Sequence, residues 1–374
     1  MKICIISYDY PDDRRSSFSF VKQLVDEFVR QGHDCCVIAP YSVTANKRLI
    51  KFKTFKRYER GSLLILRPHY LSFSNFKIFG VSLSNLLHKH AVKQALNKID
   101  FLPDVIYGHF WQSAFEGYDY ARKNNIPLFV ATGESKINKS DLRGITPDFV
   151  QYISGVICVS TKNKYESIEL GLTHQNKCIV VPNSIDSNLF KKLDKLQCRL
   201  DLNLPKDSFI VAFVGWFNER KGAKRVSDAI AKLSDVEIFS FFIGQGNDNP
   251  DCSGILYKGP LKHNQIPHYL NAADVFVLPT LMEGCCNAVV EAMACGLPII
   301  SSNRPFNTDI LDNSNAILVE PANVDEISEA ILRIKNDSLL REDMARNSLI
   351  KARDLTIDAR ARKILEFIQH MICK

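Results

Sequence analysis

The sequence predicts an α/β protein of two domains, each a doubly wound parallel sheet, the two facing a cleft. Three observations predict it. Short apolar runs alternate with amphipathic stretches throughout, and strands interleaved with helices form parallel sheets with helices on both faces. The chain has 374 residues, more than a single hydrophobic core usually organises. Its composition, 46% hydrophobic and 24% charged, is that of an ordinary globular protein.

The elements follow in order. Lys2 to Ser7 reads as a strand. Phe18 to Gln31 reads as a helix with Phe20, Leu24 and Phe28 along one face, and Gly32-His33 turns it into a strand, Cys35 to Ala39. Leu63 to Leu66 is another strand, Leu83 to Ile99 an amphipathic helix, and Val105 to Gly108, Leu128 to Ala131, Gly155 to Ser160 and Cys178 to Val181 are strands. These form an amino-terminal domain, residues 1–187. After a linker, Ile185 to Lys195, a second domain spans residues 188–355. It has strands at Phe209 to Val214, Ile238 to Ile243, Ile255 to Lys258, Val275 to Leu278 and Ile299 to Ser301, with a helix at Lys224 to Leu233. Residues 356–374 hold a last helix, Ile357 to Met371. Ligands of such sheets sit beyond the carboxyl ends of the strands.

The most informative stretch runs from Asp274 to Asn303. A buried strand runs into a loop at Pro279 that carries Glu283 and Gly284. A short helix then starts at an expected N-cap, Asn287, and stops at Gly296-Leu297-Pro298. This helix is apolar almost all round, yet it carries Glu291, and a carboxylate there needs a hydrogen-bonded partner. Glu283 and Glu291 flank a helix N-terminus, which is a ready anion site. Two acceptor carboxylates beside a phosphate site suit a sugar nucleotide, whose hydroxyls donate and whose diphosphate is the anion.

A second loop, Gly215-Trp216-Phe217-Asn218-Glu219-Arg220-Lys221-Gly222, follows the strand Phe209 to Val214 and precedes a helix. Glycine lets backbone approach a ligand, while a helix N-terminus and basic side chains neutralise a diphosphate. Two more polar residues end strands. They are His109, whose imidazole could donate to or accept from a hydroxyl, and Glu134, which could orient an acceptor hydroxyl.

The stretch from Glu283 to Pro298 resembles the donor-site signature of retaining glycosyltransferases with the GT-B fold, the large family-4 group in particular. That signature is an acid, seven residues, a second acid, and a helix ending in an A-x-G-x-P-like turn; here it reads Glu283, Glu291, then Ala294-Cys295-Gly296-Leu297-Pro298. The resemblance implies two Rossmann-like domains, an acceptor site in the first and a nucleotide-sugar site in the second. It implies that Glu283 holds hydroxyls of the donor sugar and Glu291 the ribose. The Gly215 loop is similar to the family's G-[R]-x-x-x-x-K-G loop, so Lys221 matches its phosphate-binding lysine. Trp216 stands where an arginine is common, and Arg220 can supply that charge. His109, in a match to "D-V-x-x-x-H", is placed beside the donor sugar. Leu261, in Tyr257-Lys258-Gly259-Pro260-Leu261, falls where members clamp the base.

The resemblance also implies that Cys286, Asn287 and Ala288, at the helix N-terminus, meet the diphosphate. The first loop, Tyr10 to Ser19, falls under the diphosphate in the family. This chain has Arg14-Arg15-Ser16-Ser17-Phe18 in place of a glycine pair, with Ser17 a candidate hydroxyl for phosphate. The resemblance thus implies that catalysis rests on His109, Glu283 and Lys221. The resemblance further implies transfer of a hexose from a UDP- or GDP-sugar with retention, without metal or other cofactor, to a saccharide or lipid-linked acceptor in surface-polysaccharide synthesis. A sugar-nucleotide epimerase of the same fold and a non-catalytic nucleotide-sugar-binding partner remain alternatives.

Other classes lack their signals. There is no G-x-G-x-x-G, no G-x-S-x-G and no metal-type D-x-D, and His263 and His268 have no third ligand at suitable spacing. The 11 cysteines include no C-x-x-C pair and fit reduced thiols in a cytoplasm. Met1-Lys2 and the apolar run Ile3 to Ile6 are too short for a secretory signal, and no stretch approaches the roughly 20 apolar residues that span a bilayer.

The net charge is +7, and Lys47, Arg48, Lys51, Lys53, Lys56, Arg57, Arg60 and Arg67 against the single acid Glu59 can account for it. Leu49, Phe52, Phe55 and Tyr58 interleave with them. The segment Lys47–Arg60 suits an anionic membrane surface, which would make the enzyme cytoplasmic and peripheral at the inner membrane face; a solvated basic loop is the alternative. No nucleic-acid motif accompanies it, so nucleic acid is not an expected partner.

Overall fold

The structure, a computed structural model, describes residues 1–15, 17–73, 77–78, 81–138, 142, 144–234 and 237–373. Ser16 of the first loop lies outside them. The chain divides into two compact units, one of Met1–Val159, Asn163–Val181 and Ala361–Lys374, the other of Ser160–Lys162 and Pro182–Arg360.

Unit 1 is built on an eight-stranded sheet. Its strands are β1 (Lys2–Ile6), β2 (Asp34–Ile38), β3 (Lys53–Arg57), β4 (Ser62–Leu66), β5 (Val105–His109), β6 (Leu128–Thr132), β7 (Gly155–Cys158) and β8 (Cys178–Val180). The order is β8-β7-β6-β5-β1-β2-β4-β3, all parallel except the β3–β4 pair. Ile3, Cys4, Ile5 and Ile6 of β1 are all buried, as befits a central strand covered on both faces. Burying each such aliphatic side chain is worth about 1.5–3 kcal/mol.

The chain runs from β1 outward to β2, then returns to the other side of β1 at β5. The order therefore reverses between β1 and β5, and a crevice opens beyond their carboxyl ends. Helices α1 (Ser19–Arg30) and α2 (Leu83–Leu96) follow the strands as expected, and a third, α3 (Trp111–Lys123), was not expected from the sequence. Helix α3 packs hard on β5 because Gly108 has no side chain. A Cβ there would come within 2.3 Å of the Ala114 backbone.

Unit 2 has strands β9 (Phe209–Val214), β10 (Ile238–Ile243), β11 (Ile255–Gly259), β12 (Val275–Leu278), β13 (Ile299–Ser302) and β14 (Ala316–Val319), in the order β11-β10-β9-β12-β13-β14, all parallel. The reversal falls between β9 and β12. Its helices include α4 (Ala223–Leu233), α5 (Asn287–Ala294), α6 (Val324–Asn336) and α7 (Ser338–Ala352). Asp274 fixes the entry to β12. It accepts the Ile210 amide at 2.7 Å and pairs with Arg199 and Lys195, a structural role. The last helix, α8 (Ile357–Ile372), starts in unit 2, but from Ala361 onward it belongs to unit 1, where Phe367 packs edge-on to Phe129.

Strand β3 and two residues of the basic segment depart from expectation. Lys53–Arg57 is an edge strand, a normal place for a charged segment. Phe52 turns inward against the core, with Lys98 over its ring, and Arg67 is buried with its guanidinium on the Pro11 carbonyl. Neither belongs to the exposed basic face.

Candidate active site

In unit 2 two loops leave the sheet at the reversal point, Gly215–Gly222 after β9 and Pro279–Cys286 after β12. Backbone bonds tie them together. The Leu281 amide donates to the Arg220 carbonyl at 2.8 Å, and the Arg225 guanidinium donates to the Pro279 carbonyl at 2.9 Å. Gly244, after β10, lies so close to the first loop that a Cβ there would sit 1.9 Å from the Gly215 carbonyl oxygen. A Cβ on Gly215 itself would meet Phe213 and Lys221 only at ordinary contact distances. Packing within the protein therefore does not itself require glycine at position 215.

This junction brings four of the sequence-predicted residues together. Glu283 Oε1 lies 2.6 Å from Lys221 Nζ and also pairs with Arg220, whose guanidinium donates to the Met282 carbonyl at 2.9 Å. Lys221 Nζ lies 3.9 Å from Cys286 Sγ. Burial works against the Lys221 ammonium, but Cys286 and Glu283 hold its pKa above the usual lysine value. Burial pushes the Cys286 thiol up, which disfavours its thiolate. The junction therefore holds two cations against one carboxylate, and so keeps positive charge available for an anion. Trp216, the departure from the familial arginine, is 56% exposed at the loop's start.

Helix α5 begins one residue earlier than expected. Cys286 occupies the cap position without a side-chain cap bond, and Asn287 is the first helical residue. Asn287 cannot cap because its Oδ1 accepts a 2.8 Å bond from Asn183, whose amide also donates to the Cys285 carbonyl at 3.0 Å. The amides of Val289 and Ala288 point at the Cys286 sulfur. The helix ends as predicted. Gly296, at φ 76°, donates to Met293 at 2.9 Å and Leu297 to Ala292 at 3.1 Å, a Schellman motif.

Glu291 has its required partner in His263, Nε2 to Oε1 at 2.9 Å. That bond raises the His263 pKa against the opposing effect of burial. Phe190 backs the imidazole at 5.0 Å. Sequence reasoning weighed His263 only as a metal ligand and missed this role, although an acid on an apolar helix was a signal to look for a partner. Leu261 is half-buried after β11, where Tyr257 donates to the Pro260 carbonyl at 3.0 Å.

Ser17, His109 and Glu134 belong to unit 1, at the carboxyl ends of β1, β5 and β6. Ser17 donates to Asp9 at 2.5 Å, in a loop braced by Arg15 against Asp9 and Asp12. Phe18, next in the chain, adopts the left-handed conformation at φ 59°, a backbone shape that ordinarily calls for glycine. Phe110, directly after His109, has φ 76° and ψ 159°, and its ring meets that of Phe18 edge-on at 6.0 Å. Two aromatic residues in strained backbone thus pack on each other at the reversal point. The buried His109 ring packs between Phe110 at 4.9 Å and Phe20 at 5.2 Å. Burial raises the Glu134 pKa, opposed by donation from Thr132 Oγ1 at 2.5 Å and the Gly133 amide at 2.9 Å. Among the described residues no three His, Cys, Asp or Glu side chains form a metal-ligand set.

Two family models match. "Glycosyltransferase Family 4" covers residues 19–189 and "Glycosyl transferases group 1" covers residues 194–350. Among curated proteins, a putative teichuronic acid biosynthesis glycosyltransferase, TuaC, of Bacillus subtilis is 27% identical over 92% of each chain. An Escherichia coli UDP-Gal:alpha-D-GlcNAc-diphosphoundecaprenol alpha-1,3-galactosyltransferase is 27% identical over 68% of this chain and 75% of its own. Among solved structures, sucrose-phosphate synthase of Thermosynechococcus elongatus superposes with a TM-score of 0.78 at 19% identity, over 100% of this chain and 99% of that one. Anabaena HepE in complex with UDP and glucose gives 0.72 at 18% identity, over 99% and 100%.

Proposed function

We propose, since this chain is a glycosyltransferase of family 4 with the GT-B fold, that it moves a hexose from a UDP- or GDP-sugar to a saccharide or lipid-linked acceptor, with retention of anomeric configuration, in surface-polysaccharide synthesis. The observation that carries this reading is the junction of Lys221, Arg220 and Glu283 at the reversal point of unit 2. The leaving group of a nucleotide sugar is a diphosphate. Lys221, Arg220 and the N-terminus of α5 stabilise the charge that develops on it, with no metal required. Glu283, already oriented by the two cations, accepts hydroxyls of the donor sugar, and Glu291, oriented by His263, accepts those of the ribose.

Unit 1 takes the acceptor. His109 supplies a buried imidazole, and Glu134 a carboxylate for an acceptor hydroxyl. The relative from E. coli acts on a lipid-linked acceptor and HepE binds UDP and glucose, which supports a similar pair of substrates here. No helix among the described residues is long and apolar enough to cross a membrane. We place the enzyme in the cytoplasm, held at the inner membrane face by Lys47–Arg60.

A thermal-shift series of UDP-, GDP-, ADP- and dTDP-sugars tests the reading. One donor should stabilise the protein, and Glu291→Ala should abolish the shift. No shift with any donor, from a folded protein, would refute the assignment of the donor site.

A further inference from the structure

In the proposed reaction the N-terminus of α5 meets the diphosphate, yet what holds that end in place lies outside the helix. Cys286 fills the cap position without a side-chain cap bond. The residues on either side of it are held by one side chain. Asn183 Nδ2 donates to the Cys285 carbonyl at 3.0 Å and to Asn287 Oδ1 at 2.8 Å. An amide nitrogen carries two protons, so this one is fully used. Asn183 belongs to neither donor loop. It lies among the first residues of unit 2, just after the chain leaves β8.

Asn183 is itself fixed from both sides. The buried Arg360 side chain donates to the carbonyl of Pro182, directly before it. Two positions on, the Ile185 amide donates to the Leu355 carbonyl at 2.9 Å, and the Ile185 carbonyl accepts the Ile357 amide at 3.0 Å. A side chain on a segment held this way can position what it binds. On the far side of the contact, Cys286 Sγ lies 3.9 Å from Lys221 Nζ. Asn183 therefore acts on the phosphate end of the site through Cys286 and its neighbours.

The chemistry of the bonds shows what is gained. Nδ2 meets two acceptors, so only a donor serves at this place. With Oδ1 of Asn287 engaged, no side-chain oxygen caps α5. The Ala288 and Val289 amides face the Cys286 sulfur, a weak acceptor that a phosphate oxygen can replace. A helix capped by an Asn or Ser oxygen is more stable, but its first donors are then occupied.

We propose that Asn183 is a positioning residue of the donor site, which holds the N-terminus of α5 uncapped and beside Lys221 for the diphosphate. The proposal rests on the reading that unit 2 takes the nucleotide sugar, and it adds a residue outside both loops that keeps the anion site open.

Isothermal titration calorimetry on the full chain tests it, with UDP, GDP, ADP and dTDP as probes. Asn183→Ala should weaken the nucleoside diphosphate that wild type binds most tightly by about tenfold. Asn183→Asp, which keeps the shape of the side chain and so guards against a folding defect in the first variant, should weaken it further at pH 8. There the introduced carboxylate cannot donate, and it repels the diphosphate. As the pH falls toward 5 the introduced carboxyl takes up a proton and can donate, so its loss relative to wild type should shrink. A side chain that served the fold alone would give no such recovery. Unweakened binding in both variants, or a loss in Asn183→Asp that keeps the same ratio to wild type across this pH range, overturns the proposal and leaves the donor site standing. A wild type that binds none of the four diphosphates refutes the donor-site reading itself, and the role of Asn183 falls with it.

Discussion

The ammonium of Lys221 lies 2.6 Å from Oε1 of Glu283, and Arg220 shares the same oxygen. One carboxylate thereby orients two cations at a mostly buried place. Removing Glu283 leaves both cations without their carboxylate, whereas removing Lys221 leaves Glu283 held by Arg220 alone. Lys221→Ala and Glu283→Ala should each lower turnover by on the order of a hundredfold or more. Because the two side chains touch, the double variant should lose less than the product of the single losses. Steady-state kinetics on the folded variants checks both points, and near-normal turnover in either single variant removes that residue from the chemistry.

The pairing of His263 with Glu291 should appear in the pH dependence of stability. The Glu291 bond raises the folded-state pKa of His263 above its usual value near 6.5. A raised pKa means that this stabilisation is complete below the unfolded value and is lost as pH rises through the folded value. The difference in Tm between wild type and His263→Gln should therefore be largest near pH 5.5–6 and shrink toward pH 8.5. A difference that is constant over this range, or that grows with pH, would show that the imidazolium is not what holds Glu291.

Gly244 braces the donor loop without touching a ligand in the proposed arrangement. Its φ of 152° and the 1.9 Å approach of a notional Cβ to the Gly215 carbonyl leave no room for a side chain. Gly244→Ala should destabilise the fold by about 1–3 kcal/mol, read by urea unfolding, and should weaken the donor-induced thermal shift. An unchanged unfolding midpoint would show that the two loops are not so tightly apposed.

The exposed basic face around β3 should bind anionic lipid. Lys51, Lys56, Arg57 and Arg60 have no ion-pair partner among the described residues, whereas Arg48 pairs with Asp13 and Lys53 with Asp100. Phe55 stands out from the strand, 60% exposed. Sedimentation with phosphatidylglycerol vesicles at low salt should capture the protein, and added salt should release it. Replacing Lys51, Lys56, Arg57 and Arg60 by serine should abolish capture. Failure to bind at low salt would end the membrane reading.

The sequence by itself determined the frame of this protein. Alternating apolar runs placed the core strands of both sheets, because a strand buried on both faces must be apolar along its length. Helix α5 and its glycine stop were legible for the same local reason, as was the need of Glu291 for a partner. Trp111–Lys123 was not, since Gly117 and several polar and aromatic residues blur its periodicity, and Lys53–Arg57 hid as a strand because an edge tolerates charge.

Only the tertiary structure decided who meets whom. His263 finds Glu291 because the chain after β11 folds back to α5. Asn183 takes Asn287 out of its expected cap. Lys221 and Arg220 converge on Glu283 because β9 and β12 are neighbours in the sheet, and His88 meets Glu116 because α2 packs on α3. Contacts of this kind are set by strand order and helix packing, which act between residues far apart in the chain. Local pattern fixes what each segment is, while the sheet topology fixes which side chains share a site.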